Sequence, residues 1–276
     1  QAFGREHELT VGADYRNVHK NFRYGGGDNA DINLFHPDNN VPRPDYEYTN
    51  GNDSKTDQYG LYARANLRVT DAATVIAGSR LTWWENRTQN RNAYFNQFTN
   101  TRSNINGKFT PYLGLVVDLN EQLSAYASYT SIFTPQTTTD ANGQLLDPRI
   151  GKQVEIGLKG EFLDKRLNGH VALFRMEDEN RAMTDPDNPL FSMAAGKMRN
   201  QGFEAEISGS PAPGWDITAG YAYTTTKTLK GTEDQKSQQY VFITPRHTFN
   251  LWTKYSFATG TLEGLSLGAG LRSVSS

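Results

Sequence analysis

Few residues in this 276-residue chain stand at spacings that support covalent or metal chemistry. The five histidines, His7, His19, His36, His170 and His247, are scattered, with no pair at the spacing metal ligands need. Asp28, Asp31 and Asp38 share a segment but lack a calcium-loop pattern. Gly25-Gly26-Gly27 follows no strand-to-helix unit and is no phosphate cradle. Hydrolysis at a membrane surface needs paired carboxylates or a serine–histidine couple, and His247 beside Arg246 supplies neither. What remains is a charged set, Arg64, Arg80, Glu155, Lys159, Glu204 and Glu206, in which every member falls on the polar side of an alternating segment. Such a set either makes charge-assisted hydrogen bonds to something it encloses, or lines a hydrated wall because its charges must avoid an apolar phase. Neither use is catalytic, so the chain reads as a non-enzyme without a cofactor of its own.

The elements that carry this set are strands. From Lys152 to Arg175 the chain reads as one hairpin: Val154, Ile156, Leu158, Gly160 and Phe162 on one side, Glu155, Gly157, Lys159 and Glu161 on the other. After the polar turn 163–166, Leu167, Gly169, Val171 and Leu173 resume the apolar side opposite Asn168 and His170, though Ala172 and Phe174 blur the second strand. Alternation of this kind suits a half-buried soluble sheet or a lipid-facing one.

Recurrence separates the two. Leu9 to Tyr15, Tyr59 to Val69, Val75 to Trp83, Phe109 to Leu119, Leu123 to Tyr129, Phe203 to Ile207, Trp215 to Tyr223, Phe249 to Phe257 and Leu265 to Leu271 alternate in the same way. About eleven strands result, joined by short turns and long polar loops in strict alternation. Long loops are expected at about 21–55, 86–106, 135–151, 177–199 and 226–245. Short turns on one side and long loops on the other mark an outer-membrane barrel, and a soluble sandwich has no reason to sort them. Trp83, Tyr129, Tyr223 and Phe257 fall near strand ends on the apolar side, where headgroup-level girdles belong.

Composition agrees. Mean hydropathy is low, at -0.68, yet only every second residue of a barrel strand meets lipid, so the average looks soluble. No apolar run approaches the roughly 18–20 residues of a membrane helix. A net charge of -2 gives no field for nucleic acid. There is no cysteine, hence no disulfide or thiol chemistry. An odd strand count with two unpaired edges cannot stand in hydrocarbon, so the chain is expected to be part of a larger barrel.

Four ordered segments, 126–136 (YASYTSIFTPQ), 155–160 (EIGLKG), 200–206 (NQGFEAE) and 245–252 (PRHTFNLW), resemble TonB-dependent ferric siderophore receptors, most closely the ferripyoverdine and coprogen branch. The resemblance covers nearly all of the chain outside the long loops. It implies a 22-stranded antiparallel barrel in the bacterial outer membrane, plugged by its own N-terminal domain, that imports iron chelates with energy delivered through TonB. Residues 1–276 then correspond to the middle and later barrel, without plug, TonB-contact segment or closing strands. The iron arrives inside its chelate, and outer-membrane lipid and lipopolysaccharide surround the wall. Ferric siderophores are bulky and polar, so the resemblance implies aromatic faces at the extracellular mouth. Trp84, Tyr46, Tyr48, Tyr94 and Phe95 are the candidates for that contact. Arg64, Arg80, Glu155, Lys159, Glu204 and Glu206 would face the plug. Cobalamin, haem or glycan as cargo, and an open diffusion porin, stay open as alternatives.

Overall fold

A computed structural model describes residues 4–25, 35–36, 48–92, 97–231, 233, 236 and 245–275. Its strands are β1 (His7–Tyr24), β2 (Asn50–Arg68), β3 (Ala73–Asn92), β4 (Gln97–Asp118), β5 (Leu123–Thr134), β6 (Arg149–Phe162), β7 (Leu167–Thr184), β8 (Ser192–Ala212), β9 (Trp215–Lys230), β10 (His247–Ser256) and β11 (Ser266–Val274). They form one antiparallel sheet in which each strand pairs with its sequence neighbours, from β1 to β11. The expected all-β meander is therefore present, with the expected number of strands.

Two compact units divide the chain: Gln1–Val11, Tyr62–Arg80 and Thr110–Ser276 in one, Gly12–Leu61 and Leu81–Phe109 in the other. In the first unit the register fixes which residues share a face. Ile156 pairs with Leu173, Leu173 with Phe203, and Phe203 with Tyr223. One residue along, Gly157, Ala172, Glu204 and Ala222 form the row of the opposite face.

The apolar face is open. Val154, Ile156, Leu173, Leu113, Leu267 and Leu271 are each more than half exposed, whereas the buried apolar side chains among the described residues are Trp84, Leu146, Ala172 and Met198. A soluble sheet would forfeit about 1.5–3 kcal/mol for each such side chain left in water. Hydrocarbon removes that cost. Aromatics bound the band: Trp215 and Tyr255 sit at the short-turn end, and Phe203, Tyr223 and His247 cluster at the other, with Tyr223 and His247 rings 5.0 Å apart. Trp215 to Tyr223 is eight steps, about 26 Å along the strand, the scale of a membrane barrel's apolar band, about 25 Å.

Several expected loops are strand instead. β3 runs to Asn92 and β4 begins at Gln97, β7 and β8 leave only 185–191 between them, and β9 extends to Lys230. These extensions run beyond the apolar band, where neither face needs an apolar row, so alternation disappears while the backbone ladder continues. The last short-side connection, between Ser256 and Ser266, is the longest of its kind, closed by hydrogen bonds between Phe257 and Leu265 and from Gly264 to Phe257. In the second unit Tyr15 stacks on Tyr59 at 4.9 Å, with Asp57 accepting from Tyr15 and Asn17.

Past the aromatic boundary the apolar face of β6–β8 turns ionic. Glu177 receives Lys197 at 2.7 Å, Arg175 at 2.6 Å and Arg199 at 3.1 Å, and Glu179 receives Lys152 and Lys197, both at 2.9 Å. The Lys197 ammonium, followed by the Arg175 and Arg199 guanidiniums, pulls the Glu177 carboxyl down to about 2. A carboxyl depressed by folding contributes stability that is present above its ordinary value near 4.5 and is lost as pH falls through about 2. Denaturant unfolding followed between pH 5 and about 2 is therefore expected to show an acid-side loss in the wild type that Glu177→Gln lacks. Parallel profiles for the two proteins would contradict this.

Candidate functional site

The polar face of β5–β8 holds one dense cluster. Gly157 on β6 and Ala172 on β7 are cross-strand partners, and together they leave a shallow floor. The Tyr126 ring, from β5, lies on it: a Cβ added at Gly157 would stand 2.6 Å from Tyr126 Cε1 and 2.5 Å from the Val171 carbonyl oxygen. Lying flat carries the phenol across to β7. Its hydroxyl donates to Glu155 Oε1 at 2.5 Å and accepts from His170 Nε2 at 2.6 Å. The Lys159 ammonium sits over the same ring, 4.8 Å from its centroid, a cation–π contact. Gln153 Nε2 donates to the second oxygen of Glu155 at 2.9 Å.

Glu204 enters from β8. One oxygen of Glu155, one of Glu204 and one ring nitrogen of His170 lie within 4.8 Å of one another. These are the described residues that could hold a divalent ion. Their electrostatics are indifferent to its nature: carboxylates this close repel by on the order of 3 kcal/mol at a surface-like dielectric, and an ammonium or guanidinium relieves that as well as a metal. Neither carboxylate has a salt-bridge partner among the described residues. The cluster is thus an anionic socket with a hydrogen-bonded base.

A second polar-face group stands towards the long loops. Asp178 accepts from Arg149, and from Arg181 at 2.7 Å, so two guanidiniums share one carboxylate. Gln136 and Asn180 tie the β5–β6 loop to β7: Gln136 Nε2 donates to the carbonyls of Asp147 and Asn180, and Asn180 Nδ2 to that of Pro148. On β10, Trp252 lies across Gly268 and Gly270 of β11 and remains half exposed.

The expected residues separate accordingly. Glu155, Lys159 and Glu204 are brought together, and Glu206 lies beside them in register with His170. Arg64 stands apart, donating to Asn66, which donates in turn to Glu8. Arg80 offers its carbonyl to Thr110. Trp84 is on the expected face but only 9% exposed, in a row with buried Thr82 and Asn86, the last of which donates to Ser54 and Thr56. Tyr48 is exposed. Tyr46, Tyr94 and Phe95 lie outside the described residues. Sequence reasoning missed Tyr126, His170, Arg149, Asp178 and Trp252 as site residues. For Tyr126 the available signal was a large aromatic at polar parity facing a glycine in the next strand.

Known proteins share this architecture. A family profile described as TonB dependent receptor-like, beta-barrel, matches residues 1–276. The ferric-pyoverdine M114 receptor PbuA of Pseudomonas sp. is 38% identical over 284 residues, covering 98% of this chain and 34% of that protein. The ferripyoverdine receptor of Pseudomonas aeruginosa is 36% identical over 290 residues, covering 99% and 33%. A crystal structure of the P. aeruginosa outer-membrane receptor bound to ferripyoverdine superposes with a TM-score of 0.82 at 35% identity, covering 99% of this chain and 36% of that one. The alcaligin outer-membrane receptor FauA of Bordetella pertussis gives 0.79 at 29%, covering 100% and 44%. The chain therefore spans about a third of the length of these curated relatives. Matched along its whole length by one family profile, and above 30% identity to receptors over nearly all of it, the chain belongs to the β-barrel family of TonB-dependent receptors.

Proposed function

We propose that this chain is barrel wall from a bacterial outer-membrane receptor that imports ferric siderophores of the pyoverdine class, energised through TonB. The observation that carries the cargo is the identity to ferripyoverdine receptors along 98–99% of the chain. The apolar face meets lipid and the polar face lines the lumen. The iron stays within its chelate, so the wall needs no metal cofactor.

Within the lumen, the Glu155–Glu204 socket takes cationic side chains of the receptor's own plug domain. What supports this is the pair of carboxylates that have no salt-bridge partner among the described residues, backed by Tyr126 and His170. Lys159 and Glu206 extend that contact, and Arg64 and Arg80 make a separate one. Towards the mouth, Trp84 with Tyr46, Tyr48, Tyr94 and Phe95 serves the chelate, Trp84 mainly by shaping the wall, given how little of it is open.

Two measurements on the full-length receptor test these parts separately. Equilibrium binding of a ferric pyoverdine is expected to be saturable, and preference for cobalamin, haem or a glycan would overturn the cargo. In planar bilayers the wild type is expected to be closed, and Glu155→Gln with Glu204→Gln to show conductance steps as the plug loosens. Unchanged conductance would remove the socket from the plug contact.

A further inference from the structure

Charge alone does not choose the occupant of the Glu155–Glu204 socket; the donor atoms do. Three strands bring them together. His170 on β7 has Lys159 of β6 and Glu206 of β8 as its cross-strand partners, and Glu204 of β8 is the partner of Ala172. Between His170 and Glu155 the face is floored by Gly157 and Ala172, so nothing larger than a methyl group separates them. Over this floor one oxygen of Glu155, one of Glu204 and one nitrogen of His170 lie within 4.8 Å of one another, all three residues half-buried. Donors held at about 2.0–2.2 Å from one zinc-sized ion stand no more than about 4 Å apart, so small side-chain rotations close the set.

Three observations point to a metal ion. The ligands are held from behind: the Tyr126 hydroxyl stands 2.5 Å from Glu155 Oε1 and 2.6 Å from His170 Nε2, drawing both to one point, and Gln153 donates to the other oxygen of Glu155 at 2.9 Å. Outer contacts of this kind orient metal ligands. The charge fits a dication: Glu155, Glu204 and Glu206 share this patch with a single ammonium, that of Lys159, which leaves two negative charges. A lysine or arginine of the plug cancels one of them; a dication cancels both. The imidazole then sets the class. Calcium and magnesium prefer oxygen throughout, whereas one ring nitrogen with two carboxylate oxygens suits zinc and its neighbours.

We propose that Glu155, His170 and Glu204 form a site for a divalent ion of the zinc class, which enters when the plug cation leaves the socket and, while bound, keeps it out. On binding, His170 gives the ion a nitrogen lone pair and sheds the proton it shared with Tyr126, while the Tyr126 hydroxyl goes on donating to Glu155. Three protein donors leave a fourth position for water. Because the ion and the plug cation use the same two carboxylates, each weakens the other, and the ion favours the displaced plug. This competition rests on the plug contact proposed above; the site itself does not.

The test uses full-length receptor stripped with EDTA and dialysed against Zn²⁺, with circular dichroism confirming the sheet in every variant. Wild type is expected to hold one equivalent more than His170→Gln, or than Glu155→Gln with Glu204→Gln, and to keep it against an equal concentration of Ca²⁺. Tyr126→Phe keeps all three ligands and should bind that equivalent about tenfold more weakly. Equal Zn²⁺ in wild type and His170→Gln, or its displacement by Ca²⁺, would overturn the site. In planar bilayers Zn²⁺ is expected to bring conductance steps to wild type and none to His170→Gln, which retains both carboxylates. Zn²⁺ held without added conductance would overturn the competition. If Glu155→Gln with Glu204→Gln stays closed in the absence of Zn²⁺, the plug contact has failed while the dialysis result is still read.

Discussion

Val171→Arg is expected to destabilise the inserted barrel by about 2–4 kcal/mol, the cost of a cation near the middle of a barrel's lipid face. Val171 sits between Leu158 on β6 and Ala205 on β8, within the exposed apolar band. Its guanidinium would have neither water nor a counter-ion within that band. Asn168→Arg is the matched control. Asn168 pairs with Glu161 and Ser208 on the opposite face, where an added cation meets a carboxylate and a hydroxyl. Chemical denaturation of the full-length receptor in vesicles reads the difference: a large loss for Val171→Arg, and little change for Asn168→Arg. Equal losses would mean that the two faces do not meet different solvents.

Gly157→Leu should be damaging for a different reason. The position has no room for a Cβ, because the obstruction at 2.5 Å is the Val171 carbonyl of the neighbouring strand, and the one at 2.6 Å is the Tyr126 ring. Backbone cannot swing aside, so overpacking costs about 1–3 kcal/mol. The ring must also leave its floor, which breaks the hydroxyl's hydrogen bonds to Glu155 and His170. The socket would lose its shape along with the stability. Tyr126→Phe separates the two effects: the ring stays, the hydroxyl bonds go, and the barrel should remain close to wild-type stability while conductance through the plugged lumen rises. If Gly157→Leu is as stable as wild type in denaturant titrations, the close approach of Tyr126 to β6 is wrong.

What could be read in the sequence follows from where water is. Along β6 each residue faces either hydrocarbon or the lumen, so Val154, Ile156 and Leu158 had to alternate with Glu155 and Lys159, and the hairpin with its short turn was visible from residue types alone. Past Lys152 and Arg175 the same strands run on beyond the apolar band; Gly151, Glu177 and Glu179 carry no apolar–polar alternation, and the ladder there was read as loop. The register that joins them is a property of pairing between strands. The same limit hid the socket. Glu155 and Glu204 were recognisable by parity, but the contact that unites them with Tyr126 and His170 spans β5 to β8, and no spacing along the chain encodes it. His170 stood in the sequence as an isolated histidine, because its partners are two carboxylates and a phenol on neighbouring strands. For Trp84 parity gave the face correctly and could say nothing of depth, since its burial depends on neighbours supplied by other strands.

Central to the proposed function is an apolar face that meets lipid and a polar face that meets the lumen. The chain contains no cysteine, so single cysteines can be placed and spin-labelled without background along β6 and β7 of the receptor in vesicles. Collision with oxygen, which concentrates in hydrocarbon, is predicted to be high at 154, 156, 158, 171 and 173 and low at 155, 157, 159, 170 and 172, a period of two. A flat profile, or strong collision with a water-soluble nickel chelate at 156, 158 and 171, would contradict it.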